Sequence, residues 1–370
     1  MIQSREGAML QNRHEAASCI LKISDAFNSA GYDDGGKLDR LAGRIRDASI
    51  SVIAAGEFKS GKSTLVNSLL GEKILPVNIL PCTAAITEVV YSSVPAATMY
   101  FKNPLPKRLS PHLHPEIMRH IRSIEGLLDI MSVTPMLLPF KKLSEYITIP
   151  KTDIYSDDDD DEDETPEEVP FSRVLIEYPL NILRKGMKII DSPGLNEDEE
   201  RTRITKNYLS SADAVIFVFR CPKVLSMNER TYIEQIRSIN RNIFFACNAF
   251  DLVSKEERRT FAETVSGRLI PLTDFGRDGV FFVSSKTGYG IDELKSALSD
   301  YMLSAHMNLQ NELIYTALQE ILSGIEHMSM TLPSADTRTS RRTNAAAHSR
   351  QDRHNPGRAV IDNLLDYFNK

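Results

Sequence analysis

The sequence predicts an α/β fold of the phosphate-binding-loop kind, with a mostly parallel central sheet flanked by helices. Three observations predict it. Residues 56–64 read Gly-Glu-Phe-Lys-Ser-Gly-Lys-Ser-Thr, which fits the pattern G-x-x-x-x-G-K-[ST] with nothing missing. An apolar run of strand length, residues 50–55, precedes the loop, and a short helical pattern closed by Gly71 follows it. Downstream, apolar strands alternate with helices, the pattern of a parallel sheet covered on both faces.

Composition sets the frame. With 370 residues the chain can hold two domains, or one large domain with appendages, and 42% hydrophobic and 25% charged residues are ordinary for a globular protein. No stretch approaches the roughly 20 apolar residues that span a bilayer. Residues 1–6 lack the apolar core of a secretion signal, so a cytoplasmic location is expected. Cys19, Cys82, Cys221 and Cys247 are scattered and read as reduced thiols, with no zinc site among them. The net charge of −6 is concentrated in one place: residues 157–168 hold ten carboxylates and no base. The remaining chain is mildly basic. A block of like charge repels itself, so residues 156–168 read as a solvated, disordered loop.

In chain order, residues 8–29 carry an amphipathic helical pattern that includes Ile20, Ile23 and Phe27. Gly31, Gly35 and Gly36 break it before a short polar helix at 37–47. After the first strand, the helix behind the loop is expected at 62–70. Further strands are expected at 86–91, 97–101, 173–178, 187–190, 214–219, 243–247 and 279–283. Helices are expected at 200–210, 228–239, 254–268 and 291–304. Residues 102–170 interrupt the rhythm with several prolines, a helix near 115–131 and the acidic loop, so they read as an insertion. His112, His114 and His120 have no carboxylate or cysteine at ligand spacing and read as surface histidines. From Tyr301 to Met330 an apolar stripe that includes Leu313, Leu318 and Ile325 predicts a long helix. Residues 333–358 are basic and poor in large apolar residues, so they read as disordered, and Val360, Ile361, Leu364, Leu365 and Phe368 allow one short terminal helix.

The strand, glycine loop and helix N-terminus together make an anion site: backbone N–H groups wrap phosphates, and the positive end of the helix dipole faces them. The loop offers Glu57, Phe58, Lys59, Ser60, Gly61, Lys62, Ser63 and Thr64 to a nucleotide. Lys62 would reach the β- and γ-phosphates, and the Ser63 hydroxyl would ligate Mg²⁺. Asp191-Ser192-Pro193-Gly194 follows an apolar strand as a D-x-x-G switch does. Asp191 would hold Mg²⁺ through water, and the Gly194 N–H can approach the γ-phosphate because no side chain intervenes. Asn248-Ala249-Phe250-Asp251 matches the guanine signature N-K-x-D at its outer positions. The Asp251 carboxylate can accept from guanine N1–H and N2–H₂, a donor pair that adenine lacks. Asn248 would bond the base edge and brace the loop, while Ala249 in place of lysine gives up stacking area. Ser284, Ser285 and Lys286 resemble the S-A-K loop that closes over guanine. The order of these motifs and their strand-end placement favour GTP, bound with Mg²⁺, over ATP. A switch threonine is expected before Asp191, and residues 75–89 offer Thr83 and Thr87.

The run G-E-F-x-S-G-K-S-T-L-x-N-x-L-L-G, followed by L-P-…-P-C-T-A-x-x-T, is similar to the dynamin superfamily and most like bacterial dynamin-like proteins. The resemblance covers residues 45–305. It implies a GTPase domain over 49–305 carrying the insertion 102–170. It also implies a neck formed by residues 1–48 and a helix at 306–332, and composition makes 333–370 a mostly disordered basic tail. It assigns Mg²⁺ ligation to Thr83, beside Ser63 and Asp191, and leaves Thr87 to the next strand. Eukaryotic dynamins carry glutamine and serine where this chain has Phe58 and Lys59; there they position the attacking water and a charge-compensating cation. Phe58 cannot orient water, whereas Lys59 would set a positive charge against the transition state directly. The candidate catalytic residues are thus Lys59, Ser60, Lys62 and Thr83.

The function implied is GTP binding and hydrolysis by a protein that pairs across its nucleotide face, as a homodimer or heterodimer, in the family setting of membrane remodelling. The alternative is a GTP switch with little chemistry, in which the nucleotide orders the Thr83 and Asp191 segments for a longer partner. Some 65 residues follow the domain, so no long stalk is expected, and membrane contact would come through a partner. The location implied is cytoplasmic or peripheral at a membrane. No nucleic-acid partner is expected, because the L-P-…-P-C-T segment and the long insertion argue against a ribosome-assembly GTPase.

Overall fold

The structure, a computed structural model, describes residues 2–46, 49–75, 85–106, 109, 113–125, 133–147, 170–184, 186–194 and 199–331. The acidic loop, Thr83 and the segment 332–370 lie outside the described residues. The chain divides into two compact units, one of Ser49–Met302 and one of Met1–Ala48 with the chain from Leu303 onward.

The chain opens with α1 (Ile2–Ser29) and α2 (Lys37–Arg46). Gly35 and Gly36 take positive φ in the turn between them, and the Asp34 carboxylate then accepts from the N–H groups of Gly36 at 2.8 Å and Leu38 at 2.9 Å, capping α2. The larger unit runs β1 (Ile50–Ala55), α3 (Lys62–Leu70), β2 (Ile86–Tyr91), β3 (Ala96–Phe101), α4 (Pro115–Glu125), β4 (Met136–Pro139), α5 (Leu143–Ile147) and β5 (Phe171–Tyr178). It continues with α6 (Asn181–Arg184), β6 (Met187–Asp191), α7 (Glu199–Ser211), β7 (Ala214–Arg220), α8 (Met227–Ile239), β8 (Ile243–Asn248), α9 (Arg258–Leu269), β9 (Val280–Phe282) and the start of α10 (Ile291–Thr331).

Its strands form one sheet in the order β4-β3-β5-β2-β6-β1-β7-β8-β9. From β6 to β9 every pairing is parallel. β1 and β8 are buried along their whole length, as strands covered on both faces must be. Phe217, Phe219, Phe245 and Ile233 sit in the core on one side. The other half departs from an all-parallel pattern: β2 is antiparallel to β6, and β3 is antiparallel to both β4 and β5. The physical reason shows in β3, where Ala97, Met99 and Phe101 are buried while Ala96, Thr98 and Tyr100 are half-exposed, the alternation of a strand covered on one face. β4 went unpredicted because it is four residues long, ends on a proline and lies at the sheet edge. His114 stacks on Tyr146 and His120 on Phe101.

The helices expected at 291–304 and from Tyr301 onward are one 41-residue element. No glycine or proline falls between Ile291 and Ser323, so nothing interrupts its hydrogen-bond ladder. In the helical unit Ile23, Phe27, Leu38 and Ile45 pack with Leu313, Ala317 and Ile321 of α10, and Lys37 pairs with Glu320 at 3.0 Å.

Candidate functional site

The motifs that the sequence separates meet at one edge of the sheet. β1, β6, β7, β8 and β9 run parallel side by side, so their C-terminal ends share an edge, where α/β sheets bind ligands. β1 ends at Ala55 and turns into the loop. Gly56 has φ +148°, and a Cβ there would lie 2.4 Å from the Val218 carbonyl oxygen of β7, so only glycine fits. Gly61 has φ +90°, and its Cβ would lie 2.5 Å from Asn248 Nδ2. No side chain caps α3 at Gly61, which leaves the N-terminal N–H groups of the helix facing the loop.

Lys62 is buried, and its Nζ donates to the carbonyls of Gly56 at 3.1 Å and Glu57 at 3.0 Å. Ser63 Oγ donates to Asp191 Oδ2 at 2.6 Å, joining the start of α3 to the end of β6. Asp191 Oδ1 and Ser60 Oγ are buried and have no hydrogen-bond partner among the described residues. Burial pushes the Asp191 carboxyl up to about 6, against the opposing pull of the Ser63 hydroxyl and the Lys62 ammonium. A buried carboxylate oxygen without a donor, beside a hydroxyl, suits a hard cation that takes oxygen ligands. A buried hydroxyl without a partner in an anion cradle suits a phosphate oxygen. The residues present therefore fit Mg²⁺ and a phosphate chain. Ser192, which sequence reasoning did not single out, anchors the switch: its Oγ donates to the Ala54 carbonyl at 2.7 Å, and Gly194 is buried just beyond.

Lys59 adopts φ +61°, a left-handed conformation that costs a lysine about 1 kcal/mol or more. It is exposed, with its ammonium 5.2 Å from the centroid of the Phe58 ring, itself 44% exposed. Glu57 accepts from Ser226 Oγ at 3.4 Å. Ser226 caps α8 in a reciprocal box with Glu229. The S-x-x-E spacing of that box is readable in the sequence, but its reach to the phosphate loop is not. Thr64 is half-buried in the first turn of α3.

At the base end, Asn248 closes β8. Its Oδ1 accepts from the N–H and hydroxyl of Ser285 at 3.1 and 2.9 Å and from the Ala249 N–H at 2.8 Å. Its Nδ2 lies 3.4 and 3.5 Å from the carbonyls of Ser60 and Gly61. Where the sequence suggested a base-edge contact as well as a brace, the structure has this carboxamide engaged by two loops. Ala249 takes φ +58° into a 3₁₀ turn over Phe250–Leu252. Asp251 Oδ1 accepts from the buried Ser284 hydroxyl at 2.6 Å, while Lys286 is exposed. Phe250 supports the turn from below, with Phe282 at 5.1 Å and Tyr289 at 5.7 Å between ring centroids.

Comparison with known proteins agrees with this arrangement. The sequence signature of the dynamin family matches residues 52–249. The chain is 28% identical over 257 residues to a bacterial dynamin-like protein of Nostoc punctiforme, covering 66% of this chain and 32% of that protein. It is 26% identical to the mitofusin FZO1 of Saccharomyces cerevisiae, covering 64% of this chain and 26% of that one. Among solved structures, an oligomerised bacterial dynamin pair, described as sensing and tethering membranes at long range, aligns with TM-score 0.52 and 18% identity over 88% of this chain and 48% of its own. The chain thus spans about a third or less of the length of these two relatives.

Proposed function

The chain belongs to the dynamin family, whose signature covers more than half of it, and from that premise we propose that it binds GTP with Mg²⁺ and hydrolyses the γ-phosphate. The observation that carries the reading is the buried Ser63–Asp191 pair, with its unpartnered carboxylate oxygen, at the mouth of a glycine loop. Ser63 and Asp191 would hold Mg²⁺, with Thr83 as a further ligand. Held there, Mg²⁺ would supply positive charge against the charge that develops on the phosphates. Lys62 leaves its two loop carbonyls for the phosphates, and Ser60 donates its buried hydroxyl to a phosphate oxygen. Gly194 brings its N–H to the γ-phosphate.

At the base, Asp251 accepts from the guanine N1–H and N2–H₂ groups, while Asn248, Ser284, Ser285 and Lys286 form the surrounding loop. Adenine would offer that carboxylate no such donor pair and leave it with the Ser284 hydroxyl alone, which gives selectivity. Glu57, Phe58 and Thr64 line the phosphate loop. Phe58 offers no group to orient water, so Lys59 is assigned the charge set against the transition state. Family membership favours turnover over a switch without chemistry.

Pairing across the nucleotide face belongs to the same reading, with contact to a membrane made through a partner. No described helix is long and apolar enough to cross a membrane. Phosphate release from GTP and from ATP, with Mg²⁺, tests the reading. Turnover of GTP and not of ATP is expected, and turnover of ATP at equal rate would overturn the guanine assignment.

A further inference from the structure

The guanine motif has Ala249 where N-K-x-D carries lysine, so one face of a bound base loses the cover of a long cationic side chain. The strand beside it ends on an arginine. β7 and β8 are parallel, and their register sets Arg220 opposite Asn248, one residue before Ala249. Paired residues of neighbouring strands point to the same face of a sheet, so Arg220 leaves the sheet on the side that Asn248 takes. Asn248 turns there toward the phosphate loop, its Nδ2 3.4 and 3.5 Å from the carbonyls of Ser60 and Gly61. The loop is close to β7 as well, because a Cβ on Gly56 would meet the carbonyl of Val218, which shares the Arg220 side of its strand. Just past Arg220, the Cys221 N–H donates to the Asn248 carbonyl at 2.8 Å and keeps the strand end beside the motif. Burial, and then the Asp251 carboxylate, push the Cys221 thiol up to about 12, so the carboxylate that reads guanine also lies close to the end of β7.

Arg220 is exposed at that edge, whereas the rest of β7 is buried. A backbone bridge to Lys223 turns the chain back at once and sets a second exposed cation beside it. Two like charges side by side repel, so the pair gains from an electron-rich neighbour. Neighbouring strands lie roughly 4.8 Å apart, a gap that an arginine side chain spans. The guanidinium is planar and weakly hydrated, and it stacks on aromatic faces. We propose that Arg220 is a nucleotide-binding residue: its guanidinium packs on the face of the guanine ring that the missing lysine would cover. The inference rests on the guanine reading above and goes beyond it by supplying the cation from β7 instead of from the motif on β8. GDP and GTP share the base, so the contact is the same with either and sets affinity for both.

The test uses the full chain and compares wild type, Arg220→Ala and the double variant Arg220→Ala with Ala249→Lys. Calorimetric titration with GDP and with a non-hydrolysable GTP analogue gives the affinities, and a melting curve reports the fold. For Arg220→Ala we expect affinity for both nucleotides to fall by the same factor, about tenfold. Adding Ala249→Lys should return both affinities to within about threefold of wild type, because a lysine there covers the same face of the base. A merely structural arginine at the end of β7 would not be replaced by a lysine on β8. Should Arg220→Ala fail to fold, Arg220→Gln keeps a polar side chain at the strand end without the charge, and a fall of about fivefold is expected of it. Affinity within twofold of wild type in the folded variant overturns the proposal. So does a loss confined to the GTP analogue, which puts the guanidinium on the γ-phosphate, and so does an equal loss that Ala249→Lys leaves unrepaired. Wild type that binds neither nucleotide, or binds ATP as well as GTP, overturns the guanine reading itself. That outcome is distinct from a wild type that binds GDP and an Arg220→Ala that matches it.

Discussion

Burying the Asp191 carboxyl beside Ser63 weakens the ligand-free protein. Its folded pKa of about 6 lies above the ordinary 3.8 because burial penalises the charge. Between those values the folded state keeps a proton that the unfolded chain has released, so stability falls as pH rises through that window and the loss is complete above it. Asp191→Asn is therefore expected to stabilise the ligand-free protein at pH 7 by about 2 kcal/mol, seen as a higher melting temperature. The same variant is expected to lose Mg²⁺-dependent turnover. Unchanged melting with intact turnover would remove Asp191 from the site. Lys59 presents the opposite case, an exposed cation held in a strained conformation above an exposed aromatic ring. Lys59→Ala should lower turnover by about a hundredfold with GTP affinity kept, if the ammonium acts only on the transition state. Weaker GTP binding with normal turnover would assign it to the ground state.

Among the elements, α10 is most sensitive at a single position. Gly324 sits mid-helix, where alanine ordinarily gains about 1 kcal/mol. Here a Cβ would lie 2.4 and 2.8 Å from ring carbons of Phe27 and 2.9 Å from the Tyr32 ring. Phe27 is almost wholly buried in the helical unit, so it cannot swing aside. Gly324→Ala is therefore expected to destabilise by about 1–3 kcal/mol, and urea unfolding followed by helical circular dichroism would read it. A gain in stability would mean that the contact relaxes freely. The apolar stripe of α10 was plain in the sequence, but the reason for this glycine was not, because Phe27 lies almost 300 residues earlier. β4 shows the same limit on a smaller scale: four residues ending in Pro139 carry too little periodicity to declare a strand, and only pairing with β3 makes them one.

At the scale of the whole molecule, the proposed pairing across the nucleotide face predicts that turnover per molecule rises with protein concentration. Phosphate release over a concentration series, beside sedimentation with GDP and with a non-hydrolysable GTP analogue, would check it. A constant specific rate and a monomer in every nucleotide state would overturn the pairing. The phosphate loop, D-x-x-G and N-x-x-D were legible because each is a short run in which local backbone geometry and residue chemistry coincide: glycine where φ is positive or the backbone is approached closely, a carboxylate at a strand end. Alternating apolar strands and helices made the α/β class legible for the same local reason. Tertiary structure alone decided the sheet order, with β2 reversed against β6 and β5 inserted between β2 and β3. It also decided that Asn248 is spent on two loops, that Ser63 and Asp191 meet at 2.6 Å, and that Arg220 stands opposite Asn248. Sequence spacing is silent there because such contacts join residues whose separation along the chain carries no period; only the packing of the sheet brings them within hydrogen-bond reach.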